Sequence, residues 1–145
     1  MRNAIKITIK SEYFSILMPL ENEAETAQTL SVYDDGRVYW TRHYMHGTYF
    51  EKEVKLVKRI ERRRLKIKFE EAKYILALAK AYFRSDCISC ESIYDGVCGT
   101  ELKFDDGSAI TVIKELIPDV KELSYITDVI RKVTDNYDIW AFAGK

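Results

Sequence analysis

Alternating apolar and polar residues dominate the N-terminal part of the chain and predict β-strands. Residues 4–10 place isoleucine at every second position after Ala4, with lysine or threonine between, the pattern of a strand buried on one face. The polar pair Ser11-Glu12 interrupts this pattern before residues 14–18 alternate again, and residues 21–28 are polar and acidic. We therefore expect a first strand over 4–10, a second over 14–18 and a loop over 21–28.

The clearest hairpin signal is an Asp-Asp-Gly turn at residues 34–36 between two β-rich runs. Glycine accepts the positive φ angle that such turns require without steric cost. A two-residue turn on the final Asp-Gly would scatter the apolar side chains over both faces of the hairpin. A three-residue loop instead pairs Leu30 with Trp40 and Val32 with Val38 on one face, so we predict this loop, with its glycine in a bulge.

The same Asp-Asp-Gly sequence recurs at residues 105–107. A three-residue loop there gathers the apolar side chains of both flanking runs on one face, namely Leu102, Phe104, Ile110 and Val112. Both apolar patterns therefore predict the same turn geometry. The paired aspartates are explained by hydrogen bonds within these turns, and we assign them no acid–base role.

The chain between the two hairpins contains a strand region and a helix. Residues 54–60 predict one strand and residues 65–69 a further short one, while the basic stretch between them is equally compatible with the start of a helix. Residues 70–84 predict an amphipathic helix with acidic residues at its N-terminal end, where the helix dipole favours them. Its apolar stripe consists of Ala72, Ile75, Leu76, Ala79 and Phe83.

A second helix is predicted over residues 119–134. Pro118 excludes helix on its N-terminal side, and Asp119 with Glu122 forms a capping box. The apolar stripe consists of Val120, Leu123, Ile126 or Thr127, Ile130 and Val133. The apolar residues 139–142 that follow predict a short closing strand or a docking tail.

These elements predict a single domain over residues 1–145 with an α+β fold. A chain of 145 residues fits one domain with one core. Strands that occur in hairpins, apart from the helices, favour an antiparallel sheet. We predict a sheet of about five to seven strands built on hairpins, with two helices (about 70–84 and 119–134) packed on one face.

Composition and termini indicate a cytoplasmic protein. The chain is 47% hydrophobic and 32% charged with a formal net charge of zero, so no overall field attracts it to nucleic acid or membrane. The first residues lack the apolar core of a secretory signal. No apolar stretch reaches the roughly 20 residues of a membrane span, and three cysteines are an odd number for a disulfide framework. We expect no membrane association.

Several short strings resemble a family of small uncharacterised bacterial proteins. They are Leu30-Ser-Val-Tyr-Asp-Asp-Gly-Arg-Val, Tyr82-Phe83, Glu101-Leu102, Leu123-Ser124, Ile130-Arg131 and Ile139-Trp-Ala-Phe-Ala-Gly. The resemblance spans about residues 29–144 and rests on residues of turns and helix stripes. It implies a bacterial, stand-alone domain and carries no activity, cofactor or catalytic residue.

Three cysteines have a spacing that metal sites use. Cys87 and Cys90 form a C-x-x-C with Cys98 farther along, and thiolates at this spacing can share a zinc ion, with His43 or His46 as a distant fourth ligand. The chain has no second C-x-x-C, no nearby histidine, no G-x-S-x-G and no phosphate-binding glycine loop. Ordinary loop residues are therefore the favoured interpretation, and we assign no catalytic residue, metal or cofactor.

Residues 55–68 concentrate positive charge, with eight basic residues and one acidic residue. Because the whole chain is neutral, the remainder is acidic. A row of basic side chains on a sheet face neutralises phosphates, which makes Arg59, Arg62, Arg63 and Arg64 the candidate anion- or partner-binding residues. The segment contains no aromatic residue for base stacking, and a charged edge strand also protects a sheet from aggregation.

The leading functional hypothesis is a non-enzymatic bacterial domain that binds another protein, or itself, through a sheet face or edge. It rests on charge segregation, on the lack of a catalytic motif and on ten tyrosines, a residue type enriched at interfaces. Tyr33 and Tyr39 mark one candidate face of the first hairpin. The alternatives are a binder of nucleic acid or another anionic ligand through residues 55–68, which is possible but not favoured, and a zinc-stabilised or enzymatic protein using Cys87, Cys90 and Cys98.

Overall fold

The computed structural model of the chain describes residues 2–13, 22–50, 53–83, 96–115 and 121–143, which form six strands and two helices. The strands are β1 (Ala4–Tyr13), β2 (Ala24–Tyr33), β3 (Arg37–Phe50), β4 (Glu53–Lys66), β5 (Gly96–Phe104) and β6 (Ala109–Glu115). The helices are α1 (Phe69–Phe83) and α2 (Lys121–Thr134).

All neighbouring strands are antiparallel, and their order across the sheet is β4-β3-β2-β1-β5-β6. The first four strands form a meander, and the chain then returns through α1 to the free side of β1, where β5 and β6 form a hairpin. Both helices cover one face of the sheet, here called the helix side, and the opposite face is the outer face. The α+β prediction is confirmed, and its strand count fits.

The core lies between the helix side of the sheet and the two helices. Every second strand residue faces it, because successive side chains of a strand point to opposite faces. The buried aliphatic and aromatic strand residues are Ile7, Ile9, Leu30, Val32, Val38, Trp40, Leu102, Phe104 and Val112. They pack against the apolar stripes of α1 and α2. The observed stripe of α1 contains every residue of the predicted one.

Both three-residue hairpin loops are confirmed. Val32 pairs with Val38 and Leu30 with Trp40 across the first hairpin, and the second hairpin has the corresponding register. The turn glycine has a φ of 97° at residue 36 and 86° at residue 107. The alternation of apolar residues alone was therefore sufficient to choose the loop length.

The predicted loop over residues 21–28 is wrong for its second part, since β2 begins at Ala24. The first strand also continues through Ser11 to Tyr13 instead of ending at residue 10. Ser11 and Gln28 are polar residues on the helix side, yet both are buried and hydrogen-bonded to the C-terminal segment. Sequence polarity was misleading here because the partners of these side chains lie more than a hundred residues away.

β4 is one continuous strand, so neither the break before residue 65 nor the start of a helix within the basic stretch occurs. It pairs with β3 along its whole length, from Arg37 opposite Lys66 to Phe50 opposite Glu53. Pairing with β3 keeps the basic residues of β4 in an extended conformation. Phe69, assigned to a further strand, is instead the first residue of α1.

The helices otherwise match their predicted bounds within two residues. Residues 139–142 form a docking tail that is not a strand, with all four residues buried. The tail is fixed by the Ile139 carbonyl, which accepts from Arg131, and by the Phe142 N–H, which donates to Thr127. The predicted strand over 14–18, the capping residues 118–119, Cys87 and Cys90 lie outside the described residues.

Candidate binding surface on the outer face and the β4 edge

The outer face is polar and basic, and neither α1 nor α2 packs on it. Strand pairing places on this face the basic residues Lys6, Lys10, Arg37, Lys58, Arg62, Arg64, Lys66 and Lys103. Among strand residues with described side chains, the acidic residues of the same face are Glu12 and Glu101. The described strand side chains of the outer face therefore carry a net positive charge, although the whole chain is neutral.

Alternation along β4 divides the four candidate arginines between the two faces of the sheet. Arg59 and Arg63 lie on the helix side, where their guanidinium groups approach aromatic rings of β3. Arg62 and Arg64 lie on the outer face. The four arginines therefore do not form one row. The helix-side pair and the outer-face pair have different surroundings.

The helix-side arginines already have acidic partners in the same chain. Arg59 donates from Nε and Nη2 to the Glu23 carboxylate at 3.0 and 2.7 Å and also lies 3.5 Å from Glu61. Arg63 donates to Glu61 at 3.1 Å. The hydrogen bonds that Arg59 donates to Glu23 raise the pKa of Arg59 above its ordinary value. Arg59 and Arg63 therefore have little charge left for a partner.

The outer-face side chains of β4, here called the β4 strip, form an exposed and largely cationic group. The strip consists of Leu56, Lys58, Ile60, Arg62, Arg64 and Lys66, all of them exposed. No ion pair joins its four basic members to any residue that the structure describes. Their charge is therefore available to an external group.

Exposed apolar side chains accompany this charge. Leu56 is 52% exposed and Ile60 48%, and Val57 on the other face of the same strand is 40% exposed. Next to them the outer face contains a depression of about 460 Å³, lined among others by Lys10, Ala27 and Lys58. The β4 strip thus combines charge with accessible apolar surface, as partner-binding sites do.

Aromatic rings of β2 and β3 lie next to the basic segment. The sequence indicated Tyr33 and Tyr39 as an interaction face, but residues 55–68 taken alone did not place these rings beside the basic side chains. Tyr39 lies opposite Arg64, whose guanidinium is 5.9 Å from the ring centre. Tyr39 also contacts Tyr33 edge-to-face, with ring centres 5.6 Å apart. Lys6 and Arg37 lie 4.9 and 4.3 Å from the Tyr33 ring. Pairing the 37–50 and 53–66 runs across a hairpin would have revealed these neighbours.

The helix side holds a second polar network that the sequence did not indicate. Arg42 donates from Nε and Nη2 to Glu25 at 2.7 and 3.0 Å, and both side chains are largely buried. The hydrogen bond to Glu25 is the main cause of the raised pKa of Arg42. Glu25 also accepts a hydrogen bond from Gln28, which holds the C-terminal tail. This network lies against the core, and its bonds explain it as a structural element.

The structure separates Cys98 from both histidines that were candidate zinc ligands with it. Cys98 is buried on the helix side, opposite Ser11, whereas His43 lies on the outer face, opposite Ala27. His46 is on β3, three strands away from β5, which is about 14 Å at ordinary strand spacing. Among the described residues no group of three His, Cys, Asp or Glu is arranged for a metal. The Cys87/Cys90/Cys98 cluster itself stays a prediction.

Burial gives Cys98 a pH-dependent contribution to stability. Desolvation raises its pKa from 9.0 to about 11, so folding favours the neutral thiol. The contribution of the neutral thiol to the free energy of unfolding is fully present below pH 9. About 2–3 kcal/mol of it is lost as pH rises through 11. Urea unfolding between pH 8 and 11 should therefore show a steeper loss of stability for the wild type than for Cys98→Ala, which keeps every other titratable group of the chain. Parallel curves for both proteins would contradict this assignment.

Comparisons with known proteins found no matching family model, curated protein or solved structure. Among the described residues, no helix is long and apolar enough to cross a membrane. The function is therefore inferred from the geometry of the outer face and β4.

Proposed function

We propose that this protein is a non-enzymatic binding domain that recognises an acidic surface of a partner protein through the β4 strip. The observation that carries this proposal is the position of the strip. It lies on an edge strand, it is exposed along its length, and its basic side chains have no ion pair with the described residues. Complementary charge on a partner would steer association and select against wrong partners.

The composition of the strip favours a protein over nucleic acid. Leu56 and Ile60 are large exposed aliphatic side chains within the basic row, and protein interfaces bury such groups at their centre. Single-stranded nucleic acid requires aromatic faces free for stacking. The nearest tyrosine pair is already in contact edge-to-face, and Arg37 and Lys6 lie over the Tyr33 ring.

The test is reversal of the charge of Arg62 and Arg64. A partner is isolated by cross-linking from a nuclease-treated lysate of the source organism, identified, and purified for titration. We expect the double variant Arg62→Glu/Arg64→Glu to weaken binding at least about tenfold, because two attractive charge pairs become repulsive. Isothermal titration calorimetry at two salt concentrations measures this change.

The matched control is Lys121→Glu/Lys132→Glu, which makes the same charge change at exposed positions of α2. This control should bind as the wild type does. Equal weakening by both variants would indicate a general effect of net charge and would count against the strip. Salt-sensitive binding to single- or double-stranded oligonucleotides that exceeds the affinity for protein would replace this proposal with nucleic-acid recognition.

A further inference from the structure

β4 has an unusual position for such a long strand. It is 14 residues long and pairs with β3 on one side, while the strand order places it at the end of the sheet. Its side chains are exposed at residues 55–60, 62–64 and 66. An edge strand offers backbone N–H and C=O groups to any added strand, and natural edges are usually short or covered. On β4 the protection is positive charge.

Positive charge protects the edge from a second copy of the chain but not from an acidic strand. Antiparallel pairing of two β4 strands centred on Glu61 would place Lys58 opposite Arg64, Arg59 opposite Arg63 and Glu61 opposite Glu61. Like charges directly opposite each other destabilise a strand pair, whereas opposite charges stabilise it. The edge therefore discriminates by charge between self-association and a negatively charged partner.

The two faces of β4 would impose different requirements on an added strand. On the helix side, Arg59 and Arg63 are bonded to Glu23 and Glu61. On the outer face, Arg62 and Arg64 have no ion pair within the described structure. Because side chains alternate between faces, a strand placed beside β4 would meet on the outer face the cations Lys58, Arg62, Arg64 and Lys66, with Ile60 between the first two.

We infer that β4 binds an extended acidic segment of the partner by strand addition. Every second side chain of this segment lies on the outer face, and most of these side chains are aspartate or glutamate. This inference rests on the proposed function and adds the mode of binding and the sequence pattern of the partner. The backbone of the segment bonds to the edge of β4 that pairs with no described strand, its acids pair with the basic residues of the β4 strip, and an apolar side chain meets Ile60. Edge addition combines backbone affinity with side-chain specificity in this way.

Two synthetic peptides of equal composition test the inference. One alternates glutamate with threonine over about twelve residues, near the length of β4, and the other carries the same glutamates in one block. We expect the alternating peptide to bind at least about tenfold more tightly in fluorescence anisotropy, because several cross-strand charge pairs form only in its register. Hydrogen exchange should show new amide protection in β4 and not in β6.

Arg62→Gln/Arg64→Gln should remove the preference for the alternating peptide, while Arg59→Gln/Arg63→Gln, the same change on the other face of β4, should retain it. Equal binding of both peptides, with loss in the Arg62/Arg64 variant, would overturn strand addition and leave acidic recognition standing. Binding of the purified partner without β4 amide protection would do the same. Failure of both peptides and of any acidic protein would refute both proposals, as would a concentration-dependent dimer that buries β4.

Discussion

Replacing Gly36 by alanine is expected to lower the free energy of unfolding by about 3–4 kcal/mol, of which positive-φ strain supplies about 1–2 and steric overlap the rest. Gly36 has a φ of 97°, and an added Cβ would lie 2.3 Å from the backbone carbonyl oxygen of Ile67. The N–H of Ile67 also donates to the Gly36 carbonyl at 2.9 Å. The backbone just after β4 would therefore have to move away from the turn. Urea unfolding measures the loss.

Gly107→Ala is the matched control, because it changes the same residue of the same Asp-Asp-Gly sequence. Gly107 has a φ of 86°, but nothing lies within 4 Å of the position of its missing Cβ. Only the conformational strain applies, so we expect a loss of about 1–2 kcal/mol. Equal losses in the two variants would show that the contact with the Ile67 backbone is relieved at no cost, contrary to this account.

Gln28→Leu is expected to cost about 3–5 kcal/mol, since it leaves buried donors without acceptors. Gln28 is 2% exposed, and its Oε1 accepts from the Trp40 indole at 2.9 Å and from the Trp140 N–H at 2.8 Å. Its Nε2 donates to the Asp138 carbonyl at 2.7 Å and to Glu25 at 3.0 Å. One side chain thus joins β2, β3 and the C-terminal tail.

The control for Gln28→Leu is Thr29→Val, a polar-to-apolar change at the next position, which points to the outer face. This substitution should alter stability by no more than about 0.5 kcal/mol. Gln28→Glu keeps the size of the side chain but places a carboxylate beside Glu25, so the stability of this variant should recover partly as pH falls and the new carboxyl is protonated. A Gln28→Leu variant as stable as Thr29→Val would show that the network contributes nothing to holding the tail.

The candidate surface was predicted from the sequence in part. A basic segment with candidate binding arginines follows from residues 55–68 alone. The division of Arg59 and Arg63 from Arg62 and Arg64 also follows from strand alternation once one continuous strand is accepted. The acidic partner of Arg59 does not, because Glu23 is brought to it by the β2–β3–β4 meander. Which charges remain available to a partner is therefore a tertiary property.

Local patterns determined the two hairpin loops, the stripe of α1 and the α+β class, since these features depend on residues a few positions apart. The β2 start at Ala24, the burial of Ser11 and Gln28 and the docking of the tail were decided by tertiary structure. The two turn glycines make the distinction clear. Sequence required positive φ at both, but only folding placed the Ile67 backbone against Gly36 and left Gly107 open, because close packing between distant segments is set by the whole chain.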